Sequence, residues 1–157
     1  MEKIRKLIAN NKKATFNYYL EENFQAGIEL LGMEVKSLRA GRCNIAESHV
    51  EIRNSEAFIV NMHISPYENA QHMKFGETKD PLRRRRLLLH KREIKRLIGA
   101  TSREGMTIVP VKIYFQGHLV KLDIALARGK KNYDKRADMA KKDMRRQTEK
   151  DFKIKNL

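Results

Sequence analysis

Residues 111–126 read VKIYFQGHLVKLDIAL, and the order of apolar and polar side chains along them decides the fold class. Val111, Ile113 and Phe115 alternate with Lys112 and Tyr114, and Gln116-Gly117 supplies a turn. Val120, Leu122, Ile124 and Leu126 then alternate with Lys121, Asp123 and Ala125 on the return. A period of two places every second side chain on one face, so the stretch predicts an antiparallel hairpin with one buried and one wet face. The signal recurs upstream. Val50 and Ile52 precede the turn residues Asn54-Ser55, and Phe58, Val60, Met62 and Ile64 resume the alternation. Phe16, Tyr18 and Leu20 alternate with polar positions as well. For about six short strands, a small antiparallel barrel closed so that no edge is left exposed is the natural packing.

Two short helices interrupt the strands. Segment 32–40 ends at Gly41, a residue suited to a helix stop. Segment 90–98 places Ile94, Leu97 and Ile98 on one face and Lys91, Arg92 and Lys95 elsewhere, with Gly99 read as its end. Leu87-Leu88-Leu89, just before, fits either a final apolar strand or a first helical turn. Beyond Ala127 the apolar positions are Tyr133, Ala137, Met139, Ala140, Met144, Phe152, Ile154 and Leu157, which form no continuous stripe. Residues 137–150 are nevertheless mostly good helix formers. The sequence therefore predicts a tail that is disordered when free and helical on a partner. The chain divides into a basic amino-terminal arm (1–13), a barrel (14–127) and a basic tail (128–157).

Composition narrows the partners. The chain has 157 residues, with 34 Lys and Arg against 19 Asp and Glu, a net charge of +15. That length holds one domain with a real core. A mean hydropathy of −0.66 and 34% charged residues make it very polar. The excess charge is segregated: five basic groups against one acid in 1–13, eight against one in 82–96, and twelve against five in 128–157. The rest of the chain is slightly acidic. Three basic runs beside an acidic remainder mark a polyanion-binding face with basic extensions. No apolar run approaches the ~18 residues of a membrane span, and the amino end has no secretory-signal pattern. The single cysteine, Cys43, excludes an internal disulfide framework and a Cys-only zinc site. These features point to a soluble intracellular protein.

Enzyme motifs are missing. His49, His63, His72, His90 and His118 include no pair four residues apart, and no HExxH, GxSxG, Walker loop or GxGxxG occurs. Asp134 and Asp138 share a helical face, but Lys135 and Arg136 between them make a charge mosaic rather than a metal site. No metal or cofactor is called for. What the sequence does carry is nucleic-acid chemistry. Arg83, Arg84, Arg85 and Arg86 are four guanidiniums that fork onto phosphate oxygens. Phe16, Tyr18 and Tyr19 beside Lys12 and Lys13 offer stacking surface, Tyr18 being equally suited to the core. A structural ribosomal or RNA-packaging protein fits the same features. A nuclease fits only with a buried carboxylate pair.

Four strings are more specific: GMEVKSLRAGRCNI (32–45), DPLRRRRLLLHKREI (80–94), SREGMTIVP (102–110) and GKKNYDKRADMAKKD (129–143). In order and spacing they resemble the small protein B (SmpB) family of bacterial SsrA-binding proteins. The resemblance implies a six-stranded OB-like barrel with short helices and a non-enzymatic, monomeric, cytoplasmic factor of trans-translation. Such a factor binds the tRNA-like domain of tmRNA, which elongation factor Tu carries when aminoacylated. It delivers the RNA to stalled ribosomes, its tail occupying the empty mRNA channel and the decoding centre of the small subunit. The RNA-contacting positions implied are Asn11, Lys12, Lys13, Tyr18, Gln25, Leu88 and His90, and the basic residues Lys36, Arg39, Lys91 and Arg83 to Arg86 complete the candidate tmRNA-binding set. The family usually carries Glu where Gln25 stands, and Asn also occurs at His90. In the tail the implied ribosome contacts are Lys130, Lys131, Tyr133, Lys141, Lys142, Arg145 and Arg146 together with the DKR triplet Asp134, Lys135 and Arg136. Tyr133 stands where His is also common, and both present a flat ring for stacking.

Overall fold

The computed structural model describes residues 5–66 and 80–155. Residues 1–4 of the basic amino-terminal segment, His72 and Leu157 lie outside them. In chain order the elements are β1 (Arg5–Asn10), α1 (Lys12–Asn17), β2 (Tyr18–Ile28), α2 (Gly32–Arg39), β3 (Cys43–Asn44), β4 (His49–Arg53), β5 (Glu56–Val60), β6 (His63–Ile64), β7 (Arg85–Leu88), α3 (Lys91–Arg103), β8 (Thr107–Gln116), β9 (Leu119–Gly129) and α4 (Asn132–Lys155).

The 111–126 stretch forms the expected hairpin, with Gln116 opposite Leu119 and Gly117 at φ +62 in the turn. Its return strand buries Val120, Leu122, Ile124 and Leu126 on the core face. The β4–β5 hairpin also forms, turning through Asn54 and Ser55, both at positive φ. The phase of β5 differs from the sequence reading: Ala57 and Ile59 are buried, and Phe58 and Val60 lie on the other face. Asn61, at φ 61, then shifts the phase so that Met62 and Ile64 return to the core.

The sheet has seven strands in the order β1-β8-β9-β2-β7-β5-β4, and β3 pairs with β6 in a separate ribbon. It is not closed into the expected six-stranded barrel. The end strands β1 and β4 do not bond to each other, although the sheet curls far enough for β4 to pack near β8. The extra strand comes from the segment read as an arm, since Arg5–Asn10 pairs with β8 as an edge strand. Charged Arg5 and Lys6 protect that edge, a common substitute for closure. Leu38 of α2 and Leu97 and Ala100 of α3 fill the concave side of the sheet with Ala26, Ile59, Leu87, Ile113 and Ile124.

Three further local readings change. Phe16, read with Tyr18 and Leu20 as part of a strand, belongs instead to α1, because the Asn11 side chain accepts the Ala14 N–H as an N-cap and Ala14 packs on Val109 and Ala127. Leu87 and Leu88 complete strand β7. Helix α3 runs through Gly99 to Arg103, because Ala100 has a core site to reach, and Gly105 at φ +66 follows its end. Gly41 at φ +72 does follow α2. The tail is helical in the structure rather than disordered, and its surface beyond Asp138 is exposed through Lys153.

Candidate nucleic-acid interface

Paired residues in an antiparallel ladder share a face, so the strand register maps the convex side of the sheet. Starting from β2, Gln25 lies opposite Asp123 and Gly27 opposite Lys121. Across β9, Asp123 faces Lys112 and Lys121 faces Tyr114. Across β8, Tyr114 faces Leu7 and Gln116 faces Arg5. In the other direction Gly27 faces Leu88, Arg86 faces Phe58 and Phe58 faces Glu51. These pairs form one continuous face running from Arg5 to Arg86. Helix α1 caps its end, where Ala14 sits with Tyr18 and Leu20 on Val109 and Ala127, so Lys12 and Lys13 border the same surface.

The face is polar and internally bonded. Gln25 Nε2 donates to Tyr114 Oη at 2.6 Å and to Gln116 Oε1 at 3.0 Å. Tyr114 Oη donates to Asp123 Oδ1 at 2.7 Å, and Lys112 Nζ lies 3.7 Å from Asp123 Oδ2. The Arg5 guanidinium lies 5.3 Å from the Tyr114 ring centre. Burial, the dominant effect, raises the Tyr114 pKa; the Gln25 bond opposes that and the Asp123 carboxylate adds to it. Leu88 is 48% exposed, an apolar side chain standing in the polar face. It lies across from Gly27, where a Cβ would come within 3.2 Å of Leu88 Cβ, so the strands approach closely because position 27 has no side chain.

The second basic element is α4. Lys130, only 9% exposed, ties its start to α1: Nζ donates to Thr15 O at 3.0 Å and forms a short ion pair with Asp138. The backbone N–H of Lys130 donates to Asn17 O at 2.8 Å. The Tyr19 pKa is raised by lost hydration and by the Asp134 carboxylate. Tyr133 is 64% exposed, with Lys131 Nζ 5.9 Å from its ring centre. Between α1 and α4 runs a cleft of about 530 Å³ lined by Lys12, Phe16, Met139, Lys142 and Arg146 among others. Among the described residues, no three His, Cys, Asp or Glu side chains gather as a metal site, and no helix is long and apolar enough to cross a membrane.

Residues 8–154 match the family model described as SmpB protein. The chain belongs to the SmpB family. It is 55% identical over 152 residues to an SsrA-binding protein of Lachnoclostridium phytofermentans, covering 97% of this chain and 96% of that one. A second SsrA-binding protein, from Caldanaerobacter subterraneus subsp. tengcongensis, is 49% identical, with 97% and 94% covered. A solved structure described as "tmRNA-SmpB: a journey to the center of the bacterial ribosome" superposes with a TM-score of 0.63 at 42% identity, covering 79% of this chain and 85% of that one.

In this SmpB chain the residues marked out by sequence fall into distinct environments. Gln25, Leu88, Arg84 and Arg86 share the convex face. His90 and Lys91 begin α3 just beyond it, both exposed, with the His90 N–H capped by Glu93 at 3.0 Å. Lys36 and Arg39 are exposed on α2, apart from that ladder. In the tail, Arg136, Lys141, Lys142, Arg145 and Arg146 are exposed, and Asp134 and Lys135 are partly covered.

Three of the expected contact positions, Arg85, Asn11 and Lys130, are engaged within the protein. Arg85 is 0% exposed because the alternation of β7 turns it inward. Inside, its guanidinium meets Glu34 Oε2 at 2.5 Å, Met62 O at 2.7 Å and Pro81 O at 3.2 Å. Arg83 reaches the same carboxylate at 2.6 Å. Burial alone would push the Glu34 carboxyl up, but the Arg83 bond, the Leu31 N–H and Arg85 outweigh it and hold the pKa below its ordinary value. Asn11 is buried, spending its amide on Pro110 O at 2.8 Å and its oxygen on the α1 cap. Lys130 is the clasp described above. Among the described residues, Arg84 pairs with the part-buried Glu51 at 3.2 Å, and Arg86 with the exposed Glu29 and Glu56 at 3.5 Å. Exposed pairs such as those of Arg86 are worth little. Sequence reasoning passed over Arg5, Lys112, Tyr114, Lys121 and Asp123 on this face, although the polar phase of the 111–126 hairpin already contained four of them.

Proposed function

We propose that this protein is a non-enzymatic, monomeric SsrA-binding factor of the bacterial cytoplasm. It binds the tRNA-like domain of tmRNA and delivers it to stalled ribosomes for trans-translation, with elongation factor Tu acting on the aminoacylated RNA. The reading rests on one observation above the rest: a continuous polar and basic sheet face is joined, in a chain of this family, to a separate basic helix. Structured RNA is recognised through shape, phosphates and unpaired bases, which suits a face with Lys12, Lys13, Arg84 and Arg86 around Gln25, Tyr18 and Leu88. Lys36, Arg39, His90 and Lys91 extend the contact, and Arg83 contributes through Glu34 rather than directly. Helix α4 has 24 residues and at 1.5 Å per residue is about 36 Å long. Its exposed cations suit a narrow, RNA-lined channel, with Lys131, Tyr133, Lys135 and Arg136 at the decoding-centre end and Lys141, Lys142, Arg145 and Arg146 further along. The division of labour is therefore body through Gly129 for tmRNA and tail for the ribosome.

Sequencing the RNA that copurifies with the protein tests the first half: one dominant tmRNA species is expected, whereas a spread of ribosomal RNAs would favour a structural ribosomal protein. Truncation after Lys131 tests the second. It keeps the Lys130 contacts to α1 that do not need α4, and is expected to leave tmRNA affinity nearly intact while abolishing tag addition. Loss of RNA binding on truncation would refute the two-part division.

A further inference from the structure

Gln25 stands in the middle of the convex face, and its amide sets what that position can offer RNA. A carboxylate only accepts hydrogen bonds, whereas a free amide also donates. The surroundings of Gln25 remove that difference. Tyr114 Oη donates to Asp123 Oδ1 at 2.7 Å, with Lys112 Nζ 3.7 Å from the other carboxylate oxygen, and that contact consumes the single phenolic hydrogen. The Tyr114 oxygen is then an acceptor on its other side. The Gln25 atom 2.6 Å away must be the donor, Nε2, and Gln116 Oε1 takes the second amide hydrogen at 3.0 Å. Both donors are spent within the protein. Oε1 is left on an exposed side chain in the middle of the convex face.

We propose that Tyr114 and Asp123 are positioning residues that lock the Gln25 amide so that it presents RNA with a hydrogen-bond acceptor only. The matching group is a donor on an unpaired nucleotide: a base amino or imino N–H, or a ribose 2′-hydroxyl. The buried relay through Tyr114 does for this chain what a carboxylate does by itself. This inference rests on the RNA-binding reading above and deepens it.

The test is a double-mutant cycle on affinity for the tRNA-like domain of tmRNA, with thermal melts run in parallel. Gln25→Ala is expected to weaken binding about three- to tenfold, the usual effect of one hydrogen bond. Tyr114→Phe is expected to weaken it about threefold in the wild-type chain and not at all in the Gln25→Ala chain, because Tyr114 acts only through Gln25. A merely structural role for Tyr114 would give equal losses in both. A charge-preserving swap, Gln25→Glu with Asp123→Asn, supplies the second arm. The new amide at position 123 then donates to Tyr114, Tyr114 donates to the new carboxylate at position 25, and the acceptor toward RNA is retained. The swapped chain is expected to bind within about twofold of wild type; a loss as large as that of Gln25→Ala would overturn the proposal. If Tyr114→Phe lowers the melting temperature, the swap decides alone. Failure of the wild-type chain to bind this RNA would instead sink the functional reading, and binding with an additive cycle would sink only the positioning role.

Discussion

Replacing Arg85 by Met separates the structural arginine from its neighbours on the surface. The change deletes a guanidinium that is 0% exposed, removes one partner of Glu34 and takes the Arg85 donor from the Met62 carbonyl, while the Pro81 carbonyl keeps the Ile64 N–H at 3.0 Å. Breaking a buried ion pair from one side costs roughly 3–5 kcal/mol. For a chain of this size each kcal/mol lowers Tm by about 2–4 °C, so a fall of about 6–20 °C is expected. Urea titration followed by circular dichroism measures the first quantity and a thermal scan the second. Because such losses are a large share of a typical ~5–15 kcal/mol stability, RNA binding is measured at low temperature, where the variant is folded. There the salt dependence of affinity is expected to match wild type. Arg84→Ala or Arg86→Ala is instead expected to lower the slope by about 0.7–0.9 each while costing little stability. The double variant Glu34→Leu with Arg85→Met removes both buried charges but takes the carboxylate from Arg83 and the Leu31 N–H, so it is expected to recover only part of the lost stability. A stability loss under about 1 kcal/mol for Arg85→Met, together with a reduced salt slope, would refute the reasoning and return Arg85 to the RNA-contacting set.

Four more outcomes follow from the geometry. The Glu34 carboxyl has a folded pKa below its ordinary 4.5, so its contribution is present above that value and lost as pH falls through the folded pKa; Glu34→Gln is expected to remove this acid limb from a stability–pH profile. Gly27→Ala is expected to destabilise by about 1–2 kcal/mol, because Leu88 Cβ is anchored to its backbone and β2 and β7 must part to admit the methyl group; denaturant titration measures it. Asn11→Ala loses both a helix cap and a buried amide contact, for an expected cost of about 1–3 kcal/mol in the same assay. Lys130→Met is expected to accelerate amide hydrogen exchange across the first two turns of α4 while leaving tmRNA affinity unchanged.

Strand periodicity was legible wherever one face is apolar and the other wetter, as in the first half of β9 and in β4. It misled where packing occupied both faces. Ala125 and Ala127 sit on the convex side yet are buried, Ala127 packing with Ala14 of α1. Alternation of Phe16, Tyr18 and Leu20 looked like a strand because nothing within that window reveals that Asn11 caps a helix turn against β8. The amino-terminal segment was read as an arm because of its charge, yet an edge strand needs pairing on one side only and tolerates charge on the other. Tail helicity followed propensity, and the Lys130 clasp that anchors it joins residues more than a hundred positions apart in sequence.

The sequence by itself determined the hairpin at 111–126, the segregation of positive charge and the family strings, because these are properties of neighbouring residues. Only the tertiary structure decided which cations face a partner. Arg84, Arg85 and Arg86 are chemically identical and consecutive, yet the pleat of β7 sends the middle one inward to a carboxylate 51 residues away. Likewise, Gln25 is an ordinary amide in the sequence. It becomes an acceptor alone only where β8 and β9 bring Tyr114 and Asp123 beside it, since hydrogen-bond direction is set by the whole chain of donors and acceptors, not by one residue type.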